Sequence, residues 1–85
     1  MKQILFNENK NIISELLIDA RKKLNITQTD LAAKMQVLNI NMDQQMISKI
    51  EKNQRQVTDY EFAAFCVCLK IPPQKILDAF SEKSK

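Results

Sequence analysis

Apolar residues recur along this chain at helical spacing. Ile13, Leu16, Leu17, Ala20 and Leu24 fall at i, i+3, i+4, i+7 and i+11, and Phe62, Phe65, Cys66 and Leu69 repeat the start of that stripe. Shorter versions occur at Leu31, Ala32, Met35 and Leu38, at Met46, Ile47 and Ile50, and at Ile76, Leu77, Ala79 and Phe80. No stretch of four or more residues alternates strictly with β-branched enrichment, so the pattern predicts helices and no strands.

Capping chemistry places the ends. The first N–H groups of a helix need acceptors, and Ile26-Thr27-x-x-Asp30-Leu31 and Val57-Thr58-x-x-Glu61-Phe62 supply them in the same form. Each offers an N-cap hydroxyl, an acidic residue three positions on and an apolar staple. Asp43, between Met42 and Ile47, marks a third start, and Pro72-Pro73 a fourth, since proline is tolerated in a first turn. Three stops share one form, Leu24-Asn25-Ile26, Leu38-Asn39-Ile40 and Leu69-Lys70-Ile71. Each fits a left-handed residue followed by an apolar return contact. The predicted helices span about 9–24, 28–38, 44–52, 59–69 and 73–82.

Composition narrows the function. The chain has 85 residues, 45% hydrophobic and 27% charged, with a formal net charge of +3, which suits one domain over 1–85 with a core at about 9–82 and short tails. Glycine is absent, where average usage of about 7% would supply roughly six. Gly-rich phosphate loops are excluded, and glycine-dependent hairpins are disfavoured. Histidine is absent too, which removes the commonest general base and metal ligand. Cys66 and Cys68 have no partner pair elsewhere, so they read as reduced core thiols rather than a disulfide or zinc site. Neither a cofactor, a metal nor a catalytic group is expected, and the chain is not expected to be an enzyme. Met1 to Phe6 lack the apolar run and small-residue cleavage site of a signal peptide. With no run near the roughly 20 apolar residues of a membrane span, the expected location is the cytoplasm.

Two short amphipathic helices between Gln28 and Glu51, joined by a turn and flanked by helices that can cover them, carry the functional information. Thr27-Gln28-x-x-Leu31-Ala32-x-Lys34-Met35, Ile47-Ser48-Lys49-Ile50-Glu51-Lys52-Asn53 and Val57-Thr58-Asp59-Tyr60-Glu61 resemble the helix-turn-helix domains of the lambdoid phage repressors and the XRE/Cro-like regulators, over about residues 12–77. The resemblance implies a compact five-helix, lambda-repressor-like DNA-binding domain with its helix-turn-helix in helices two and three. One departure is a turn lengthened by about five residues over Leu38 to Met42. It bears on the tilt of helix three more than on its identity.

Helix three divides into two faces. Met46, Ile47 and Ile50 lie on one, while Gln44, Gln45, Ser48, Lys49 and Lys52 form a polar stripe on the other. Glutamine can pair with adenine N6 and N7 and lysine with guanine O6 or N7, and the start of a recognition helix reaches the base edges. Gln44, Gln45, Ser48 and Lys49 are therefore the candidate base contacts. Candidate phosphate contacts are Gln28, at a helix start, and Lys52, Asn53 and Arg55 beyond helix three. Lys22 and Lys23 read as charges that complement the dipole of helix one. The resemblance further implies a structural ion pair between Arg21 and Glu51, and a bracing role for Gln28 toward the recognition helix. It also places Asn25, Asn39, Asn53 and Lys70 where relatives carry glycine, so positive φ is expected at the asparagines and also at Lys70, whose side chain suits it less, and glycine at Asn25 or Asn53 is expected to be neutral or stabilising.

The expected function is sequence-specific binding of double-stranded DNA as a transcriptional regulator, a repressor on a palindromic operator. A modest net charge implies weak binding by one copy, hence a homodimer, with Ile76, Leu77 and Phe80 as candidates for its surface. The alternative is a protein-interaction module of the same fold, an antitoxin or a regulator antagonist. Such a module would more naturally expose aliphatic or aromatic anchors where Gln44, Gln45, Ser48 and Lys49 stand.

Overall fold

The computed structural model describes residues 6–83, which form α1 (Ser14–Lys23), α2 (Gln28–Val37), α3 (Gln44–Glu51), α4 (Asp59–Leu69) and α5 (Pro73–Lys83). The five-helix, all-α architecture agrees with the periodicity; among the described residues the sole extended pairing is one bridge between Phe6 and Asn9. Much of the expected tails, at residues 1–5 and 84–85, lies outside the described residues.

The helix starts follow the capping chemistry. Thr27 Oγ1 accepts from the Asp30 N–H at 3.0 Å while Asp30 Oδ2 accepts from the Thr27 N–H at 2.9 Å. Thr58 and Glu61 repeat the box at 3.3 and 3.0 Å, and Asp43 Oδ1 accepts from the Met46 N–H at 2.8 Å. Each such cap contributes about 1 kcal/mol over alanine.

The stops are also local. Asn25, Asn39, Asn53 and Lys70 hold φ of 58, 62, 59 and 56°, all left-handed. After α1 the Ile26 N–H bonds to Arg21 O at 3.2 Å and the Asn25 N–H to Lys22 O at 3.0 Å, the paired bonds of a Schellman stop. Ile40 with Met35 and Asn39 with Gln36 reproduce them after α2, as do Gln54 with Lys49 and Asn53 with Ile50 after α3. Asparagine tolerates this conformation better than other side chains, whereas Lys70 bears the larger steric cost.

The beginning of α1 departs from the expectation of a helix from about residue 9, since it starts at Ser14. Asn7 and Glu8 have φ of 47 and 67°, and Phe6 and Asn9 exchange backbone bonds of 3.2 and 2.8 Å around them. A tight turn with two left-handed residues cannot belong to a helix, and it forms here without glycine. Asn11 then accepts the Ile13 and Ser14 N–H groups on Oδ1 at 3.1 and 2.9 Å, capping α1 from outside the apolar stripe.

The core is one cluster in which Leu17, Leu31, Met35, Ile47, Ile50 and Phe65 are fully buried. Burying each such side chain stabilises by about 1.5–3 kcal/mol. α3 packs against α1 and α2, and α4 packs against the same pair, so the middle of the chain is held from both sides. α5 closes the domain with no fully buried residue of its own.

Candidate nucleic-acid interface

α2 and α3 form the helix-turn-helix, and the long turn between them is anchored. Met42 inserts into the core, and Gln36 Nε2 donates to the Met42 carbonyl at 3.1 Å. Val37, the last residue of α2, and Leu38, which opens the turn, remain exposed. On α3, Ile47 and Ile50 are buried and Met46 is half-buried, while Gln44, Gln45, Lys49 and Lys52 are exposed and Ser48 is half-buried. The polar stripe therefore faces solvent at Gln44, Gln45 and Lys49 and, just past the helix, at Lys52.

A chain of side-chain bonds runs from α1 to the start of α3. Arg21 Nε donates to Glu51 Oε2 at 2.8 Å and Nη2 to Oε1 at 3.1 Å, while Nη1 holds the Ile26 carbonyl at 3.1 Å. The side chains of this pair are only 15% and 7% exposed. Hydrogen bonding to Glu51, helped by its charge and opposed by burial, holds the Arg21 guanidinium above its ordinary pKa. Glu51 Oε1 also accepts from Gln28 Nε2 at 2.9 Å, and Gln28 Oε1 accepts from Gln44 Nε2 at 2.6 Å. Gln28 thus touches both the ion pair and the first residue of α3.

Beyond α3 the structure separates residues that the sequence grouped together. Lys52 is exposed. The Asn53 side chain turns inward: its Oδ1 accepts from the Lys10 and Asn11 N–H groups at 2.9 and 3.0 Å, and its Nδ2 donates to Asn9 Oδ1 at 2.7 Å. Glycine at this position removes all three bonds, which corrects the expectation that it would be neutral or stabilising. Arg55 meets Glu61 with a two-pronged contact of 3.0 and 3.1 Å and also donates to the Gln56 carbonyl at 3.0 Å. Burial pushes the Glu61 carboxyl toward its neutral form, but the Arg55 fork and the Thr58 N–H prevail and hold its pKa below the usual value.

The sequence reading missed Asn9 and Asn11. Asn11 Nδ2 donates to the Ile50 and Arg55 carbonyls, both at 3.0 Å, so the segment before α1 clamps the end of α3. No periodicity carries that signal. The one available cue was an Asx-type cap, Asn11 before Ile13-Ser14.

Elsewhere, Ile76 packs against the core, Leu77 is 59% exposed, and Phe80 is 48% exposed and stacks on Phe6 with ring centroids 4.8 Å apart. Burial raises the pKa of the Cys66 and Cys68 thiols, away from reactive thiolate. No cluster that could hold a metal ion occurs among the described residues. Nor is any of their helices long and apolar enough to cross a membrane.

Residues 17–76 match the family described as Helix-turn-helix (HTH_3). The chain belongs to this family, a class of XRE-type DNA-binding transcriptional regulators rather than enzymes. Among solved structures, a point mutant of the restriction-modification controller protein C.Esp1396I is similar in fold, with a TM-score of 0.66 and 24% identity over 98% of this chain and 94% of that one. No curated protein matches the chain significantly.

Proposed function

We propose that this regulator is a repressor that binds a palindromic operator as a homodimer in the cytoplasm, with α3 in the major groove. The observation that carries it is the solvent face of α3, where Gln44, Gln45 and Lys49 are exposed beside half-buried Ser48 while Ile47 and Ile50 anchor the opposite face. These four polar residues take the base edges. Lys52 and the start of α2 at Gln28 meet phosphates; Asn53 and Arg55 contribute through the backbone they brace, their side chains being engaged internally. Leu77 and Phe80 on α5 supply exposed apolar surface for the second copy. Repression follows from occupancy: a dimer across two adjacent major grooves, about 34 Å apart, excludes polymerase from the promoter it covers.

Selection from randomised duplexes at moderate salt tests this reading. An enriched palindrome whose half-sites lie one helical turn apart is the expected result, and reporter expression from that site should fall when the protein is present. No enrichment would move the reading to a protein-interaction module.

A further inference from the structure

We propose that Asn41, in the lengthened turn, hydrogen-bonds a backbone phosphate at the wall of the major groove ahead of α3, so that the added residues carry a DNA contact of their own. The inference rests on the reading of α3 as the base-reading helix. It starts from the asparagines, of which the chain has seven. Asn7, Asn25, Asn39 and Asn53 hold left-handed φ of 47, 58, 62 and 59°, which accounts for the residue type. The Asn9 amide donates to the Phe6 and Asn7 carbonyls, and the Asn11 amide to those of Ile50 and Arg55. Asn41 has neither a positive φ nor a side-chain hydrogen bond among the described residues, and it is exposed. The fold gives no reason for an amide there.

What the fold does give Asn41 is a fixed position. The Ile40 N–H bonds to the Met35 carbonyl at 3.0 Å, and its side chain packs against the core. Met42 is 1% exposed, with its carbonyl held by Gln36 Nε2 at 3.1 Å. With both neighbours turned inward, the exposed Asn41 points the other way. Its backbone is ordered before any ligand arrives, which lowers the cost of binding. Asp43, the nearest charge in sequence, accepts the Met46 N–H at 2.8 Å, and the positive end of α3 offsets its repulsion of a phosphate.

Distance selects the strand over the base edges. α3 begins at Gln44, and the intervening Asp43 is extended, with φ of −114° and ψ of 176°, so Asn41 stands up to about 10 Å from the helix start. The major groove is about 12 Å wide, and a helix start centred in it leaves about 6 Å to either wall. A short amide held beyond that distance meets the sugar–phosphate strand, and its NH₂ group donates to a phosphate oxygen.

The experiment uses the full chain and the site that the unaltered protein selects from randomised duplexes, with single phosphates of one half-site replaced in turn by neutral methylphosphonates. Asn41→Ala should weaken binding by about three- to tenfold per half-site, on every sequence, and leave all base preferences as they were. One methylphosphonate, outside the base pairs relaxed by Gln44→Ala, should weaken the unaltered protein by that factor more than it weakens Asn41→Ala. Asn41→Lys should bind more tightly at low salt and steepen the salt dependence by about one for each copy bound.

Four outcomes overturn the proposal: both variants binding within about twofold of the unaltered protein; relaxation of a single base preference by Asn41→Ala, which would make it a base contact; equal losses for the two proteins at every methylphosphonate; or a thermal midpoint of Asn41→Ala lowered by more than about 5 °C, which would give the amide a role inside the fold. If the unaltered protein enriches no motif, the DNA reading itself fails; if it enriches one and any of the four occurs, only the Asn41 contact fails.

Discussion

Glycine at Asn25 and at Asn53 should have opposite consequences, although the backbone needs are the same, φ of 58 and 59° after the end of a helix. Asn25 is exposed, and its side chain enters no hydrogen bond among the described residues. Glycine there relieves left-handed strain but adds freedom to the unfolded chain worth about 0.4–1 kcal/mol, so the net change should stay within about 0.5 kcal/mol. Asn53 holds two backbone N–H groups and the Asn9 amide oxygen at 2.9, 3.0 and 2.7 Å. At about 1 kcal/mol for each bond, and more wherever water cannot replace it, Asn53→Gly should destabilise by about 3–4 kcal/mol. For a domain of this size that lowers Tm by about 12–30 °C. Urea and thermal unfolding followed by circular dichroism measure both variants, and an unchanged urea m-value would show that the surface exposed on unfolding is the same, so that the shift in midpoint reports stability. If the two glycine variants differ by less than about 1 kcal/mol, the asparagine clamp contributes nothing and the reasoning fails.

Further expectations are open to measurement. Arg21→Met or Glu51→Leu alone should cost about 3–5 kcal/mol by stranding a nearly buried charge, whereas the double variant should cost far less; equal losses in a thermodynamic cycle would argue against the pairing. Glu61 has a folded pKa below its ordinary value, so its contribution is present above about pH 4.5 and is lost as pH falls from there through the folded value. Glu61→Gln should flatten the acid limb of a stability profile measured over that window. Gln45→Ala should lose about 1–3 kcal/mol of affinity for the selected site and relax a single base preference, while Lys52→Ala should weaken all sequences alike and reduce the salt slope by about one. Lys70→Gly should raise stability by about 1 kcal/mol, measured by urea unfolding, because an exposed lysine occupies a left-handed position with φ of 56°.

What could be read from the sequence was whatever is decided by neighbours in the chain. The boxes at Thr27–Asp30 and Thr58–Glu61 close across three residues, and each stop at Asn25, Asn39 and Asn53 closes within six, so residue type and spacing sufficed. The face of α3 was legible because Ile47 and Ile50 set its rotation. The start of α1 was not. Asn11 takes its orientation from carbonyls at Ile50 and Arg55, about 40 residues away, and an apolar stripe carries no trace of that. Likewise Arg55 and Asn53 look like free polar groups beside a recognition helix until folding supplies Glu61, Asn9 and the Lys10 and Asn11 amides. The Gln28–Gln44 contact joins two helix starts across the lengthened turn, and residue types alone do not fix which amide donates.

The segment from Phe6 to Asn11 touches both the end of α5 and the end of α3. Phe6 stacks on Phe80 and Asn7 donates to the Lys83 carbonyl, while Asn11 holds the Ile50 carbonyl in α3 and Asn9 meets Asn53 just after it. Mechanically this is a tie-rod between α5 and α3, which make few direct contacts with each other. If two copies meet through α5, force on that helix passes to the segment through Phe80 and Lys83 as well as to the core through Ile76. Grip on DNA and grip between copies would then share one slender member, and a substitution there would weaken both together.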